Sequence, residues 1–232
     1  MTKANITIGS VVLSPEMKLY ELIDAAPVLL SIFSRLNIRL PFGDISIDEM
    51  CRREGYSSAL FIELCAIHID PRHRPNEEQL TENMLPEVIG YLRASHRYYA
   101  EHMLPHTARH LEDILKHCDE LSERVLRHFY SDYVRYITSH FDEEEREIFS
   151  LLDSSTASSA NFAIFDMPHA DIDDRSNDIA SLILKSLPEA APTPLRCAML
   201  QDVYELRDDL RRHSSIETYL LRPLVVKFLK RA

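Results

Sequence analysis

The sequence predicts an all-α protein: an up-down-up-down four-helix bundle that follows a small helical N-terminal domain. Three observations support this fold class. The chain has only 4 glycines in 232 residues. Its second part contains four long stretches with apolar residues at helical spacing. Short turn-forming segments separate these stretches, and long helices with short links are typical of antiparallel bundles.

Residues 1–75 are predicted to form the N-terminal domain. Its first helical stretch is SPEMKLYELIDAAPVLLSIFSRLNI, residues 14–38, which predicts one or two helices. Ser14 is the expected N-cap of the first helix, because it directly precedes Pro15 and proline is favoured in the first helical turn.

Two more helices are predicted in this domain. In SIDEMCRREG, Ser46 and Glu49 have the spacing of a capping box, and Gly55 has the position of a C-terminal stop. SSALFIELCAIHI, residues 57–69, predicts the next helix. Such helices could form a DNA-binding helix-turn-helix, but the domain has 8 Lys/Arg against 9 Asp/Glu. This balance argues against a nucleic-acid partner.

A charged segment with two prolines, DPRHRPNEEQLTEN, predicts a linker at residues 70–83, with His73 as a solvated loop residue. The bundle domain then spans residues 84–232. SSTASSA has the composition of a loop, and in SLPEAAPTP Thr193 and Pro194 have the positions of a helix cap and a first turn. The predicted helices cover about residues 84–118, 119–152, 166–187 and 195–230.

Composition limits the class of partner. The net charge is −11 and the basic residues form no long stripe, so a nucleic-acid-binding surface is not expected. No apolar run approaches the roughly 20 residues that span a bilayer, and the N-terminus lacks a signal-peptide core. We therefore expect a cytoplasmic protein with no membrane partner. The 4 cysteines form no CxxC pair, which predicts reduced, partly buried residues rather than disulfides or a thiolate zinc site.

Two segments place a histidine and a glutamate four residues apart. They are HFDEE, with His140 and Glu144, and HSSIE, with His213 and Glu217. On a helix this spacing brings both side chains to one face. One such pair is common on helix surfaces, but two pairs on two bundle helices indicate a metal site.

The positions of two further histidines agree with that interpretation. At about 1.5 Å per residue, His96 lies roughly 33 Å before the turn near Cys118, and His140 lies roughly 32 Å after it. His169 and His213 each lie roughly 27 Å from the link between the third and fourth helices. In an antiparallel bundle, each helix would thus supply one histidine at a common level.

The candidate ligands are too many for a single structural zinc, and they suit two metal ions that share the glutamates. The mixed nitrogen and oxygen donors favour iron or manganese, and zinc is possible. The candidate metal ligands are His96, His140, Glu144, His169, His213 and Glu217.

Neighbouring residues have less specific interpretations. His102, His106 and His110 form a stripe with four-residue spacing. We expect them to be partly exposed or to support the ligands, with an auxiliary metal site as the alternative. Tyr136 is expected in the core, or as a hydrogen-bond donor at the metal site. Apart from Glu144, the acidic run DEEERE is expected on the outer face.

These motifs resemble those of hemerythrin-like HHE-domain proteins, and most closely those of the iron-sulfur cluster repair di-iron proteins. The resemblance covers roughly residues 84–230. It implies a small preceding domain and a four-helix bundle whose non-haem di-iron centre is bridged by the two glutamates and an oxo or hydroxo group. The features are SHRYYAEHMLPHTARHL around His96, HFDEEEREIF with His140 and Glu144, His169 early in the third helix, and HSSIETYLLRPL with His213 and Glu217.

The chain departs from the repair proteins at two places and from oxygen-carrying hemerythrins at a third. The family's small domain usually has adjacent cysteines before the glycine and acid that correspond to Gly43 and Asp44, whereas this chain has RLPF, residues 39–42. A docking module is therefore expected instead of a thiol-dependent one. Pro168 replaces an acid that is common in repair proteins. Asp173 replaces a second histidine of oxygen-carrying hemerythrins, and its carboxylate could ligate or orient there.

The resemblance implies a stress-response protein that repairs iron-sulfur clusters, or supplies iron to them, after nitrosative or oxidative damage. The alternative is a sensor, in which gas or redox state at the di-iron site changes how the N-terminal domain docks. A third possibility is an enzyme that reduces NO or consumes peroxide. The expected partners are O2, NO or peroxide and damaged iron-sulfur proteins, and the expected state is a monomer or homodimer.

Overall fold

A computed structural model of the chain describes residues 5–149, 170–187 and 190–229. Helices account for most of these residues, and the all-α class predicted from the sequence is confirmed. The predicted loop SSTASSA, Pro168 and the candidate ligand His169 lie outside the described residues.

The described residues fall into two compact units. The first contains the residues up to Ser95 together with those from Arg212 onward, and the second runs from His96 to Arg211. Both boundaries lie inside continuous helices and not in a loop. The predicted domain limits, 1–75 and 84–232, therefore stay predictions.

The first unit begins with a β-hairpin that the sequence analysis does not anticipate. Strands β1 (Ile6–Ile8) and β2 (Val11–Leu13) pair antiparallel, and Gly9 in the turn between them has a φ of 58°. Glycine adopts this left-handed conformation without steric cost. Strands of three residues are too short for an alternating pattern to stand out.

Helices α1 (Leu19–Ala25) and α2 (Leu30–Arg35) follow the hairpin. The predicted N-cap at Ser14 is wrong, because the Ser14 carbonyl instead accepts a hydrogen bond from the Met17 N–H, at 3.1 Å, in a turn before α1. Pro27 opens the short 3-10 helix Pro27–Leu29 between the two helices.

Helices α3 (Ile47–Glu54) and α4 (Ser58–Ile69) agree with the sequence prediction. The capping box is confirmed, since the Glu49 N–H donates to Ser46 Oγ at 3.2 Å and the Ser46 N–H donates to Glu49 Oε2 at 3.1 Å. Gly55 ends α3 with a φ of 80°.

Helix α4 is buried on all sides over residues 60–68, so its polar members need polar partners. His68 Nε2 lies 2.7 Å from the Tyr91 hydroxyl. Glu63 Oε2 lies 2.6 Å from His73 Nε2. The prediction that His73 is a solvated loop residue is therefore wrong, because its side chain is only 14% exposed and contacts a buried carboxylate.

The bundle is formed by helices that begin with α5 (Leu85–Tyr98). Three of them continue into or out of short π-helical turns, at Tyr99–Met103, Glu145–Phe149 and Glu217–Leu221. The helix Thr193–Ile216 begins at the residue predicted to cap it. The remaining helices are α6 (Leu104–Leu115), α7 (Glu120–Glu144), α8 (Ala170–Lys185), α9 (Thr193–Ile216) and α10 (Arg222–Leu229).

In the second unit, α6 and α7 run antiparallel. The Tyr130 hydroxyl donates to the Leu104 carbonyl at 2.7 Å, and Arg127 Nη2 donates to Glu112 Oε2 at 2.8 Å. Residues later in α7 therefore contact residues earlier in α6, as in an antiparallel pair.

Helices α8 and α9 show the same relation. Arg211 Nε donates to Asp173 Oδ2 at 2.9 Å, and Arg207 Nη1 donates to Asn177 Oδ1 at 3.2 Å. These helices surround one apolar core, which includes Leu111, Ile114, Leu126, Tyr133, Ile137, Ile179, Ile183, Met199, Val203 and Leu206. No helix in the described part of the chain combines the length and apolar character needed to cross a membrane.

Candidate metal centre

The carboxylate of Glu144 lies between two imidazoles in the second unit. Its Oε2 is 3.2 Å from His96 Nε2, and its Oε1 is 3.1 Å from His140 Nε2. All three side chains are buried. Each imidazole thus contacts a different carboxylate oxygen, which is the arrangement expected when a carboxylate is shared between two metal ions.

The ring of His96 is held in a defined orientation. It stacks on Phe141, with ring centroids 4.2 Å apart, and on Phe149, at 5.6 Å. Its Nδ1 lies 3.1 Å from Glu145 Oε1. When the Nδ1–H donates to this carboxylate, Nε2 is left free of a proton and can coordinate a metal. This role of Glu145 could not be predicted from the sequence, which indicates a position on the outer face.

A π-helical turn follows or includes each described glutamate of the candidate set. Glu145–Phe149 begins one residue after Glu144, and Glu217–Leu221 begins at Glu217 itself. A third turn, Tyr99–Met103, begins three residues after His96. Such turns are rare and frequent at functional sites, because the extra residue changes the direction of side chains relative to an α-helix.

The second predicted pair also forms as its spacing requires. His213 Nε2 lies 3.0 Å from Glu217 Oε1, and both side chains are buried. This pair belongs to the first unit, near the end of α9. The structure therefore describes two buried groups, His96 with His140 and Glu144, and His213 with Glu217.

The sequence matches a known protein family. The family model for the hemerythrin HHE cation binding domain matches residues 87–225, more than half of the chain and a range that contains every candidate ligand. The chain belongs to the hemerythrin HHE family. No curated protein and no solved structure matches it significantly. HHE domains bind metal cations, so metal binding follows from membership of the family.

The donor atoms of this HHE protein fit a transition metal. Imidazole nitrogens and carboxylate oxygens at about 2.1 Å from one ion lie roughly 3 Å apart when the angle between them is close to 90°. The nitrogen–oxygen distances of 3.2, 3.1 and 3.0 Å in the two groups have this size. A cation would also compensate the charge of carboxylates that are buried.

Two other candidates for the centre of this HHE protein, Asp173 and Tyr136, contact arginine side chains. Asp173 accepts from Arg211 Nε with both carboxylate oxygens, at 3.0 and 2.9 Å. Tyr136 lies beneath the guanidinium of Arg175, 4.5 Å from the ring centroid. Both contacts are with arginine, which does not coordinate metals.

Two cysteines of this HHE protein, Cys51 and Cys65, are unsuited to binding metal as thiolates. All four are free thiols. Burial raises the pKa of Cys51 to about 12 and that of Cys65 well above its ordinary value, so both stay protonated near neutral pH. Cys118 is half-buried, and Cys197 is exposed, which differs from the predicted burial.

Proposed function

We propose that this HHE protein holds two iron ions and repairs iron-sulfur clusters, or supplies iron to them, under nitrosative or oxidative stress. The observation that carries the proposal is the position of Glu144, with one carboxylate oxygen for each of two imidazoles. The proposed ligands are His96, His140, Glu144, His169, His213 and Glu217.

The family match supports a single centre that includes both His169 and His213. The HHE match covers all of these positions within one domain.

A di-iron centre of this kind supplies exchangeable positions for O2, NO or peroxide and a reversible change of oxidation state. The chain's own residues control access and release. Stacking on Phe141 and Phe149 fixes the His96 ring, whereas a carboxylate such as that of Glu144 can rotate about its side-chain torsions. Movement of this one glutamate would weaken the hold on both metal positions, which suits a protein that gives up iron.

Iron transfer tests the proposal. The iron-loaded protein is incubated anaerobically with an apo iron-sulfur protein, sulfide and a thiol, and cluster formation is followed by absorbance. We expect transfer that is faster than from an equal concentration of chelated iron. A fully iron-loaded protein that transfers no iron would contradict the proposal. As a control, Glu143→Gln, a change at the exposed neighbour of Glu144, should transfer iron as fast as the wild type.

A sensor is the second candidate, because the segment that carries His213 holds the linker of the first unit. Arg212 Nε donates to the His68 carbonyl at 3.0 Å, and Ser215 Oγ donates to the Pro71 carbonyl at 3.2 Å. A change in the position of His213 would therefore act on the start of the linker.

The same segment contacts the linker further along. The Arg74 guanidinium lies 3.6 Å from the centroid of the Tyr219 ring, two residues after Glu217. Lys227 Nζ donates to the Leu80 carbonyl at 2.8 Å. These contacts provide a physical connection between a ligand-bearing helix and residues 70–81.

Limited proteolysis distinguishes the sensor from a pure repair protein. The rate of cleavage within residues 70–81 is measured with and without NO and in both oxidation states. A sensor requires a rate that changes with NO or oxidation, and a smaller change in Arg74→Ala than in the control Arg72→Ala. Equal cleavage under all conditions would exclude the sensor and leave the repair proposal unaffected.

A further inference from the structure

We propose that the second unit contains a further metal site, for a zinc-class cation, formed by His106 and His110 of α6 and Asp202 of α9. One ligand atom from each residue lies within 4.8 Å of the others. None of the three belongs to the proposed di-iron ligands, so this site does not depend on the function proposed above.

The two imidazoles face different oxygens of one carboxylate. His110 Nδ1 lies 2.6 Å from Asp202 Oδ2, and His106 Nε2 lies 3.6 Å from Oδ1. The histidines are four residues apart on α6, with ring centroids separated by 4.8 Å. The Asp202 side chain is only 10% exposed. The carboxylate is therefore mostly shielded from water, whereas the imidazoles that contact it are more exposed.

The chemistry of the group favours zinc. Zinc takes imidazole nitrogens and carboxylate oxygens at about 2.0–2.2 Å, in sites that often have three protein ligands and one exchangeable position. Two histidines at positions i and i+4 of a helix provide two such nitrogens from one face. A single carboxylate can balance the charge of only one protonated imidazole. A divalent cation, in contrast, can be bound by the carboxylate and both neutral imidazoles together.

Space for the remaining ligand is present beside the group. A cavity of about 330 Å³ opens next to His106 and Asp202. Its lining also includes the polar side chains of Glu101, His102 and Glu205. A cavity of this size holds several water molecules, and polar walls give them hydrogen-bond partners. Water can therefore complete the coordination shell.

Arg109 competes with the metal. Its Nη2 donates to His106 Nδ1 at 2.9 Å, so in the neutral ring the proton is on Nε2, the atom that faces Asp202. Coordination through Nε2 requires the proton to move to Nδ1 and Arg109 to leave. Removing this guanidinium should therefore strengthen metal binding.

The test compares zinc affinity in full-length variants. The purified protein is titrated with Zn²⁺ in competition with a chromophoric chelator, and the iron content is measured in parallel. We expect the wild type to bind one zinc ion more per chain than H106Q/H110Q, with at least a tenfold loss of affinity at that site. H117Q/H128Q, which changes two exposed histidines, should behave like the wild type.

The readout is the difference between wild type and variant, so it does not depend on what the buried centre holds. Equal zinc uptake by wild type and H106Q/H110Q would overturn the proposal. R109M should bind zinc several-fold more tightly than the wild type. Unchanged or weaker binding by R109M would contradict the competition between Arg109 and the metal.

Discussion

Two groups in the same unit have the same donors, two imidazoles and one carboxylate, in different surroundings. His96, His140 and Glu144 are buried, and aromatic rings pack against His96. In the other group, the His106 side chain is 52% exposed and a guanidinium contacts it. In both groups the donors suit a first-row transition metal. The surroundings would set how firmly such a metal is held.

Burial also makes the two groups differ in what they need in order to fold. A carboxylate removed from water must be compensated by a cation or by strong hydrogen bonds. We therefore expect the buried group to be stabilised by its metal, so that stability rises with metal binding. A metal ion at the exposed group, as proposed above, could be replaced by water and protons with little effect on the fold.

The largest expected effect comes from Glu144→Gln. The neutral amide can no longer provide an anionic bridge between two metal ions. We therefore expect iron content to fall by at least half and the affinity for the remaining iron to fall by more than about tenfold. His140→Ala and Glu217→Ala should also lower iron content. Metal analysis after anaerobic purification measures these changes, and unchanged iron in all three variants would refute the ligand assignment.

The next effect concerns the packing around the buried group. Phe141→Ala removes the ring that stacks on His96 and should lower the free energy of unfolding by about 3–5 kcal/mol. Phe129→Ala, at a residue that is 38% exposed, should cost less than about 1 kcal/mol. Denaturant unfolding of the metal-free variants compares the two, and equal losses would contradict the role of Phe141.

Glu145→Gln should have a smaller effect, confined to the metal. Gln can still accept a hydrogen bond from His96 Nδ1, but it lacks the charge that raises the basicity of the ring. We expect iron affinity to fall roughly tenfold with the fold intact. Chelator competition gives the affinity and circular dichroism the fold. An affinity equal to that of the wild type would show that the contact with His96 does not act on the metal.

The smallest effect on stability is expected at the exposed group. In the metal-free protein, H106Q/H110Q should change the free energy of unfolding by less than about 0.5 kcal/mol, although we expect it to remove the zinc ion bound at this group. Thermal unfolding with and without Zn²⁺ checks both parts. A large loss of stability without zinc would mean that these histidines serve the fold and would remove the contrast with the buried group.

Local features of the molecule could be predicted from the sequence. Helical periodicity predicts the bundle helices, and the four-residue spacing of His140 with Glu144 and of His213 with Glu217 predicts contacts that form within one helical turn. The capping box at Ser46 is equally local. Each of these depends only on residues a few positions apart.

Features that depend on tertiary packing could not be predicted in this way. Glu145 contacts His96 from the first residue of a π-helical turn on another helix, and Asp202 contacts His110 across a sequence separation of 92 residues. His73 finds Glu63 only because α4 is buried on all sides. Periodicity assigns a side chain to a face, but it does not identify the partner that packs against that face.

The proposed function requires that His96, His140 and Glu144 hold metal together with His213 and Glu217 in one dinuclear centre. Mössbauer spectroscopy of the anaerobically purified, ⁵⁷Fe-enriched protein, with iron quantified per chain, tests it most directly. We expect about two iron ions per chain, coupled to each other in the oxidised state, and loss of the coupled signal in Glu144→Gln. A single uncoupled iron, or a coupled pair that survives Glu144→Gln unchanged, would contradict the claim.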